Sequence, residues 1–404
     1  MTYIKVTADK TLDVPKDPNI GYIEGDGIGG DITKAMITTV NAAVEVAYGG
    51  EKTIIWDKIP AGEESFKETG KSLPQDSLDK LKKCVVSVKG PLTTPVGHGM
   101  RSLNVTLRQY FDLYANIRPV KYIPGSPSPV KYPEKMDMVV FRENTEDLYA
   151  GYEWKYDSAE AEKLRSFLSK EFSVNLPNDS GIGIKPISKF KSQRLVRKAI
   201  QYAIENHRKS VTLMHKGNIM KYTEGAFREW GYELAATEFK NYTVTEKDYL
   251  EKPDAYPGKI VIKDRIADNM FQQVLTRTEE YDVIATTNIN GDYLSDALAA
   301  QVGGIGTAPS GNVGDAYAIF EAIHGSAPKY TGMDVANPTS IILSAAMALE
   351  YIKWNEAARI IRDSVNSAYL DHKVTQDIAR YSNVKPLRCS EFAEELVRRM
   401  KKVY

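Results

Sequence analysis

Short apolar runs and helix-period segments take turns along almost the whole of this chain, and that alternation limits what it can fold into. Residues 19–24, 83–90, 136–141, 211–214 and 281–285 read as buried strands. Helical patterns cover residues 32–48, 192–207, 224–239, 268–275, 340–354 and 355–371. Such a succession predicts α/β layers around a mostly parallel sheet. At 404 residues the chain exceeds one ordinary core, so two or three domains are expected. A last helix is predicted from Ser390 as N-cap and Glu391 in its first turn to the basic end Arg398, Arg399, Lys401 and Lys402, a charge order that suits the helix dipole.

Charge balance narrows the partners. Lysine plus arginine and aspartate plus glutamate number 53 each, so neither nucleic acid nor an anionic membrane is called for. The two cysteines, Cys84 and Cys389, are far apart and in no C-x-x-C arrangement, which excludes a disulfide scaffold and fits a reducing cytoplasm. The N-terminus has no secretory apolar core, and the most apolar run, residues 341–349, is broken by Ser344 and about half the length of a membrane span. A cytoplasmic protein is expected.

Several constellations could carry chemistry. In Arg101-Ser-Leu-Asn-Val-Thr-Leu-Arg108 the apolar positions alternate with Ser102, Asn104 and Thr106, a period of two that puts Ser102 and Asn104 on one face. Arg101, Arg108 and Arg118 surround them with planar donor forks suited to carboxylates. Either a small polycarboxylate or the protein's own acids would satisfy that set. Asp292 and Asp296 are four apart and share a face if a helix begins there, and Asp264 and Asp268 repeat the spacing. Such a pair suits a hard divalent ion or the N-terminal field of a helix. Tyr149 and Lys216, at strand-to-loop transitions, are candidates for proton transfer. His324, followed by Lys329 and Tyr330 and preceded by the glycine loop 303–306, suits a phosphorylated ligand. Gly25-Asp-Gly-Ile-Gly-Gly30 matches a dinucleotide fingerprint, with Glu45 as its ribose acid, but Asp26 and Asp31 put negative charge where a pyrophosphate would sit.

Taken together, Glu24-Gly-Asp-Gly-Ile-Gly, Arg101-Ser-Leu-Asn-Val-Thr-Leu-Arg, Phe141-Arg-Glu-Asn-Thr-Glu-Asp-Leu-Tyr-Ala-Gly, His215-Lys-Gly-Asn-Ile-Met-Lys, Asn290-Gly-Asp-Tyr-Leu-Ser-Asp and His324-Gly-Ser-Ala-Pro-Lys-Tyr span nearly the whole chain. In that order they resemble the isocitrate/isopropylmalate dehydrogenase family, most closely its NADP-dependent, homodimeric bacterial and archaeal branch. The resemblance implies an α/β fold that is not a Rossmann fold. It places a large domain at residues 1–113 and 303–404, a small domain at 114–146 and 189–302, and an intersubunit clasp at 147–188. It implies that isocitrate is oxidised and decarboxylated to 2-oxoglutarate, with Mg²⁺ or Mn²⁺ and NADP as cofactors, in a homodimer with shared active sites.

Carried over by position, Ser102 and Asn104 would read the γ-carboxylate, Arg108, Arg118 and Arg142 the other carboxylates, and Thr94 would lie beside substrate and nicotinamide. Asp292 and Asp296 of one subunit and Asp268 of the other would hold the metal, Lys216 of the partner would take the hydroxyl proton, and Tyr149 would protonate carbon. Thr93, His324, Gly325, Lys329, Tyr330, Asn337, Gln376, Arg380 and the partner's Arg277 would face NADP. Gln376 stands where relatives carry tyrosine, which implies a less strict NADP preference. Homoisocitrate, 3-isopropylmalate and tartrate are alternative substrates, and a regulatory subunit that binds citrate-like ligands is the non-enzyme alternative. Polar Ser102 and Asn104 disfavour the isopropyl group, and intact Lys216 and Tyr149 disfavour a pure binder.

Overall fold

The apolar runs assemble into one sheet of eleven strands, seen in a computed structural model that describes residues 2–93 and 102–403. Numbering only the strands of this sheet, they are β1 (Asn19–Ile23), β2 (Ile55–Lys58), β3 (Val86–Lys89), β4 (Ala115–Lys121), β5 (Asp137–Glu143) and β6 (Ser210–His215). They continue with β7 (Thr243–Thr245), β8 (Ile260–Ile266), β9 (Val283–Thr286), β10 (Pro309–Val313) and β11 (Ala318–Ala322). The spatial order is β7-β8-β6-β9-β5-β4-β10-β11-β3-β1-β2. Pairing is parallel on both flanks and antiparallel along β5-β4-β10-β11 in the centre. The architecture is α/β as expected, with a mixed rather than all-parallel centre.

Helices cover both faces of the sheet because their apolar stripes demand it. In Gly29–Tyr48 the buried Ile32, Ala35, Met36, Thr39, Val40, Ala43 and Val44 recur at helical spacing, and Gly49 (φ 57°) ends the helix with its N–H on Glu45 O. This helix packs with Thr339–Tyr351, Asn355–Leu370 and Cys389–Val403 into a core built from both ends of the chain. Residues 339–349 are buried without interruption, and Ser344, the polar break in that run, donates to Ser340 O and Glu321 O, each at 2.8 Å. No helix among the described residues is long and apolar enough to cross a membrane. A second and a third core pack Lys189–Glu205 and Glu224–Glu238 on one face of β5, β6, β8 and β9, and Ala267–Thr276 and Asn288–Gln301 on the other.

Two local expectations are corrected. The stretch after Arg101 is a helix, Leu103–Tyr110, not an extended strand. Leu103, Leu107 and Phe111 follow the helical spacing of four and enter one apolar cluster, which outweighs the period-two pattern. Ser102 caps the helix with non-helical backbone and Asn104 lies in its first turn, so the period of two does not set their faces, and both stand at the helix N-terminus. The last helix, Cys389–Val403, already includes Ser390. Ser390 Oγ donates to Asp334 Oδ2 (2.6 Å) and its N–H to Asp334 Oδ1 (2.8 Å), so a carboxylate from a distant loop caps the helix instead.

Residues 147–188 hold the helix Ala159–Phe172 and a two-stranded pairing of Glu153–Trp154 with Ile182–Gly183. Tyr152, Phe167, Phe172 and Ile184 are exposed there.

Candidate active site

The carboxyl end of β5 and the start of the helix after β9 meet at Arg142. Its side chain is almost fully buried; Nε donates to Asn288 Oδ1 at 2.9 Å and Nη1 to Asp292 Oδ1. Close approach requires Gly291, because a Cβ there would lie 2.6 Å from Arg142 Cγ. The neighbouring strand β4 supplies Arg118, whose Nε donates to Asn116 Oδ1 (2.7 Å) and Nη1 to Ser295 Oγ (2.6 Å) and Asp296 Oδ1 (2.8 Å). Helix Leu103–Tyr110 supplies Arg108, bonded through Nη2 to Glu321 Oε1 at 3.1 Å. Burial, with the charges of Arg108 and Arg118, pushes the Arg142 pKa down to about 10. Arg142 Nη2 and Arg108 Nε are buried with no hydrogen-bond partner among the described residues. Unpaired charged donors of this kind are costly to leave buried, and a polycarboxylate would satisfy them.

Asp292 and Asp296 do share a helix face beside these arginines. Tyr149, on the turn Asp147–Ala150, donates its hydroxyl to Asp292 Oδ2 at 2.5 Å, and its ring lies 4.8 Å from the Arg142 guanidinium carbon. Burial raises the Tyr149 pKa, with the Asp292 contact adding to it and Arg142 opposing. At Asp292 burial is outweighed by Arg142 and the Tyr149 hydroxyl, so its pKa is lowered. At Asp296 burial and the Asp292 charge win over Arg118, and the pKa is raised. Two carboxylates that repel across one helix turn are a donor set a hard divalent cation would fit. Among the described residues no three His, Cys, Asp or Glu side chains of the chain come together to hold a metal.

Lys216 and Asp268 form a separate pair, Nζ to Oδ2 at 2.5 Å, with the Lys216 N–H on Glu224 Oε2 at 3.0 Å. The second spacing pair is overturned as a site. Asp264 ends up on β8 and Asp268 on the following helix, so they share no face. Asp264 accepts from His215 Nε2 (2.8 Å), Tyr232 OH (2.9 Å) and Arg228 Nε (3.1 Å). Burial raises its pKa, but these partners outweigh it and bring the carboxyl to about 2. A carboxyl depressed on folding stabilises above its unfolded pKa and stops doing so as pH falls through its folded one. Asp264→Asn should therefore show a Tm deficit that is full above about pH 4 and shrinks towards about pH 2, read by thermal denaturation across that range.

Beneath the arginines runs a row of polar groups that the sequence reading missed. On facing strands Arg142 lies opposite Asn116, Asn116 opposite Asn312, and Glu321 opposite Lys89. Asn116 Nδ2 donates to Asn312 Oδ1 (2.9 Å), and Asn312 Nδ2 donates to Glu321 Oε1 (2.7 Å). Lys89 Nζ lies 2.7 Å from Glu321 Oε2. The available signal was a charged residue inside an otherwise apolar run, Glu321 after Phe320 and Lys89 after Val88.

The residues expected around a nucleotide lie beyond Lys89. Thr93 Oγ1 is 2.9 Å from Ser326 Oγ, and its N–H donates to Asp26 Oδ2 at 2.7 Å. Asp26 Oδ1 accepts the Glu63 N–H at 2.7 Å, and Gly27 (φ 59°) presses against Ser326 O. The glycine-rich turn is thus filled by the protein's own groups and leaves no cradle for a pyrophosphate. His324 Nδ1 is 3.0 Å from Gly325 O, and its Nε2 is buried without a partner among the described residues. Burial holds the His324 pKa below the usual histidine value, with Gly325 and Asp377 opposing.

The Asn337 amide is used internally: Nδ2 donates to Tyr369 OH (3.1 Å) and Asp377 Oδ2 (3.0 Å), and Oδ1 accepts the Thr339 N–H (3.0 Å). Lys329 Nζ sits 4.7 Å from the Tyr330 ring centre, both residues exposed. Gln376 and Arg380 are exposed at and after the short helix Gln376–Ala379, and Arg277 is exposed at the end of Ala267–Thr276. Thr94 and Arg101 lie outside the described residues.

The profile of the isocitrate/isopropylmalate dehydrogenase family matches residues 19–396. The chain belongs to this family. An NADP isocitrate dehydrogenase of Archaeoglobus fulgidus is 56% identical over 388 residues, 96% of this chain and 93% of that protein. One from Pseudomonas aeruginosa is 54% identical over 404 residues, 98% of this chain and 97% of that protein. The crystal structure of isocitrate dehydrogenase from Methylococcus capsulatus superposes with a TM-score of 0.78 at 36% identity, covering 95% of this chain and 99% of that one. Within this family fold, the arginine cluster stands between the carboxyl ends of the central strands and the helix of Asp292 and Asp296.

Proposed function

We propose that the protein oxidises and decarboxylates isocitrate to 2-oxoglutarate and CO₂ with reduction of NADP. The observation that carries this reading is the set of three buried arginines, two of them with an unpaired donor, beside Tyr149, Asp292 and Asp296, in a chain 56% identical to an NADP isocitrate dehydrogenase. Arg108, Arg118 and Arg142 bind and orient the carboxylates, and Ser102 and Asn104 take the γ-carboxylate. Asp292 and Asp296, joined by Asp268 of a second copy, would hold Mg²⁺ or Mn²⁺. The bound cofactors supply hydride acceptance and polarisation of the substrate's oxygen. Lys216, presented to the second copy, takes the proton of the substrate hydroxyl. Tyr149, kept protonated by burial and by Asp292, returns a proton to carbon after CO₂ has left.

The homodimer is supported by the exposed aromatic side chains of residues 147–188 and by the separation of the Lys216–Asp268 pair from the arginine cluster. Domain boundaries at 113/114 and 302/303 follow the change of core partners across the chain. Lys329, Tyr330, Arg380 and Arg277 of the second copy offer charge and hydroxyl groups to a 2′-phosphate, with Thr93, His324, Gly325, Asn337 and Gln376 around the rest of the nucleotide and Thr94 near the nicotinamide. A cytoplasmic location is supported by two buried, unpaired thiols.

The test is a panel of isocitrate, homoisocitrate and 3-isopropylmalate with Mg²⁺ and NADP or NAD. The highest kcat/KM is expected for isocitrate with NADP. Turnover of either rival acid without isocitrate, or a preference for NAD, would show the pocket or the phosphate cluster to be misread.

A further inference from the structure

At the ends of the segment 147–188 lies a buried charge group that the mechanism above does not use. Lys185 Nζ is 2.5 Å from Asp147 Oδ1 and 3.0 Å from Glu224 Oε1, and both carboxylates are fully buried. The remaining bonds of those carboxylates run to the elements that carry chemistry. Asp147 Oδ2 accepts the Ile289 N–H at 3.0 Å and Oδ1 the Leu148 N–H at 2.8 Å. Tyr149 follows in the same turn, and Asp147 itself holds a left-handed φ of 68°. Glu224 Oε2 accepts from Lys216 N–H (3.0 Å) and Asn290 Nδ2 (2.8 Å), while Oε1 accepts from Thr287 Oγ1 (2.8 Å). Thr287 to Asn290 is the N-terminal turn of the helix that bears Asp292 and Asp296.

A single ammonium thus lies between two acids, one seating the Tyr149 turn and the other the Lys216 backbone, and both gripping the Asp292 helix. Left without that ammonium, the two carboxylates repel each other in a site buried from bulk solvent. We infer that Lys185 is a positioning residue for the reaction, setting Tyr149 and Lys216 in register with Asp292 through Asp147 and Glu224. The inference rests on the roles given above to Tyr149 and Lys216. Because Lys216 serves the second copy's site in that reading, one Lys185 aligns groups of two active sites. Substrate binding should be affected less than the chemistry, since Arg108 and Arg118 are held by Glu321, Asn116 and Ser295, away from this group, and of the three arginines only Arg142 bonds to the gripped turn, through Asn288.

The experiment compares Lys185→Gln and Lys185→Arg in the full-length enzyme by two readouts. One is steady-state kinetics with isocitrate, NADP and Mg²⁺. The other is exchange of the C3 protons of 2-oxoglutarate with deuterated solvent, which needs Tyr149 but no oxidation. For Lys185→Gln, kcat and exchange should each fall by about 30-fold with KM for isocitrate within about threefold, as misplacement of reacting groups predicts. Lys185→Arg should recover both to within about fivefold of wild type. Wild-type kcat in folded Lys185→Gln, or no recovery in folded Lys185→Arg, overturns the inference. Should Lys185→Gln fail to fold by circular dichroism, Glu224→Gln removes the ion pair of Lys185 that reaches the Lys216 loop, leaves the one to Asp147, and keeps an acceptor for the Lys216 N–H. A fall of about tenfold in its kcat at unchanged KM supports the inference, and wild-type kcat overturns it. A wild-type enzyme that does not turn over isocitrate would instead sink the functional reading.

Discussion

Replacing Lys216 by methionine is expected to lower kcat for isocitrate by about 10³-fold while KM stays within about fivefold. Methionine keeps the unbranched stem and removes the proton acceptor proposed above. The fold should tolerate it, because the loop is anchored by the Lys216 N–H on Glu224 and not by the ammonium. The ammonium's own partner, Asp268, is largely exposed, so losing the pair leaves no buried charge behind. Exchange of the 2-oxoglutarate C3 protons should survive in this variant, since Tyr149 keeps its place on Asp292. A kcat within tenfold of wild type would mean that another group takes the hydroxyl proton.

The second large effect falls on stability. Glu321→Gln should destabilise the protein by about 3–5 kcal/mol in urea unfolding, the range for breaking a buried ion pair from one side. Glu321 is bonded by Lys89, Arg108 and Asn312, so the neutral amide strands two buried cations. Burial alone would raise the Glu321 pKa, but Lys89 and Arg108 overcome it and hold the carboxyl well below the usual carboxylate range. A depressed folded pKa means that its stabilisation is complete above the unfolded glutamate value, about 4.3, and is lost as pH falls below it. The gap between wild type and Glu321→Gln should therefore be constant from about pH 6 to 8 and narrow below about pH 4. A gap under about 1 kcal/mol at pH 7 would show that solvent reaches the pair.

Much of this was legible because the local signals agree with one another. The helix Gly29–Tyr48 has apolar spacing, a glycine stop and no interior breaker, and it lies within three residues of its expected start. Arg142 and Tyr149 come together with Asp292 and Asp296 because each pair follows a strand that the alternation located, whereas Arg118 lies inside β4, a strand that the alternation did not mark. The helix Leu103–Tyr110 was misread because its apolar spacing of two is also compatible with one of four, and only the tertiary cluster with Phe111 chooses between them. Lys185, Asp147 and Glu224 were invisible for a different reason. Their meaning lies in meeting each other across long stretches of chain, and no spacing in the sequence encodes that.

The row of polar side chains across the central strands has a consequence for any attempt to change what this enzyme prefers. Lys89, whose charge is felt at His324, and Arg108, which stands in the arginine cluster, lean on opposite oxygens of the same Glu321. On the function proposed above, redesign of nucleotide choice near Lys89 should also shift the affinity for the organic acid, because both cations share one carboxylate, and a coupling between two ligands acts equally in both directions. Variants selected on one ligand alone should drift on the other.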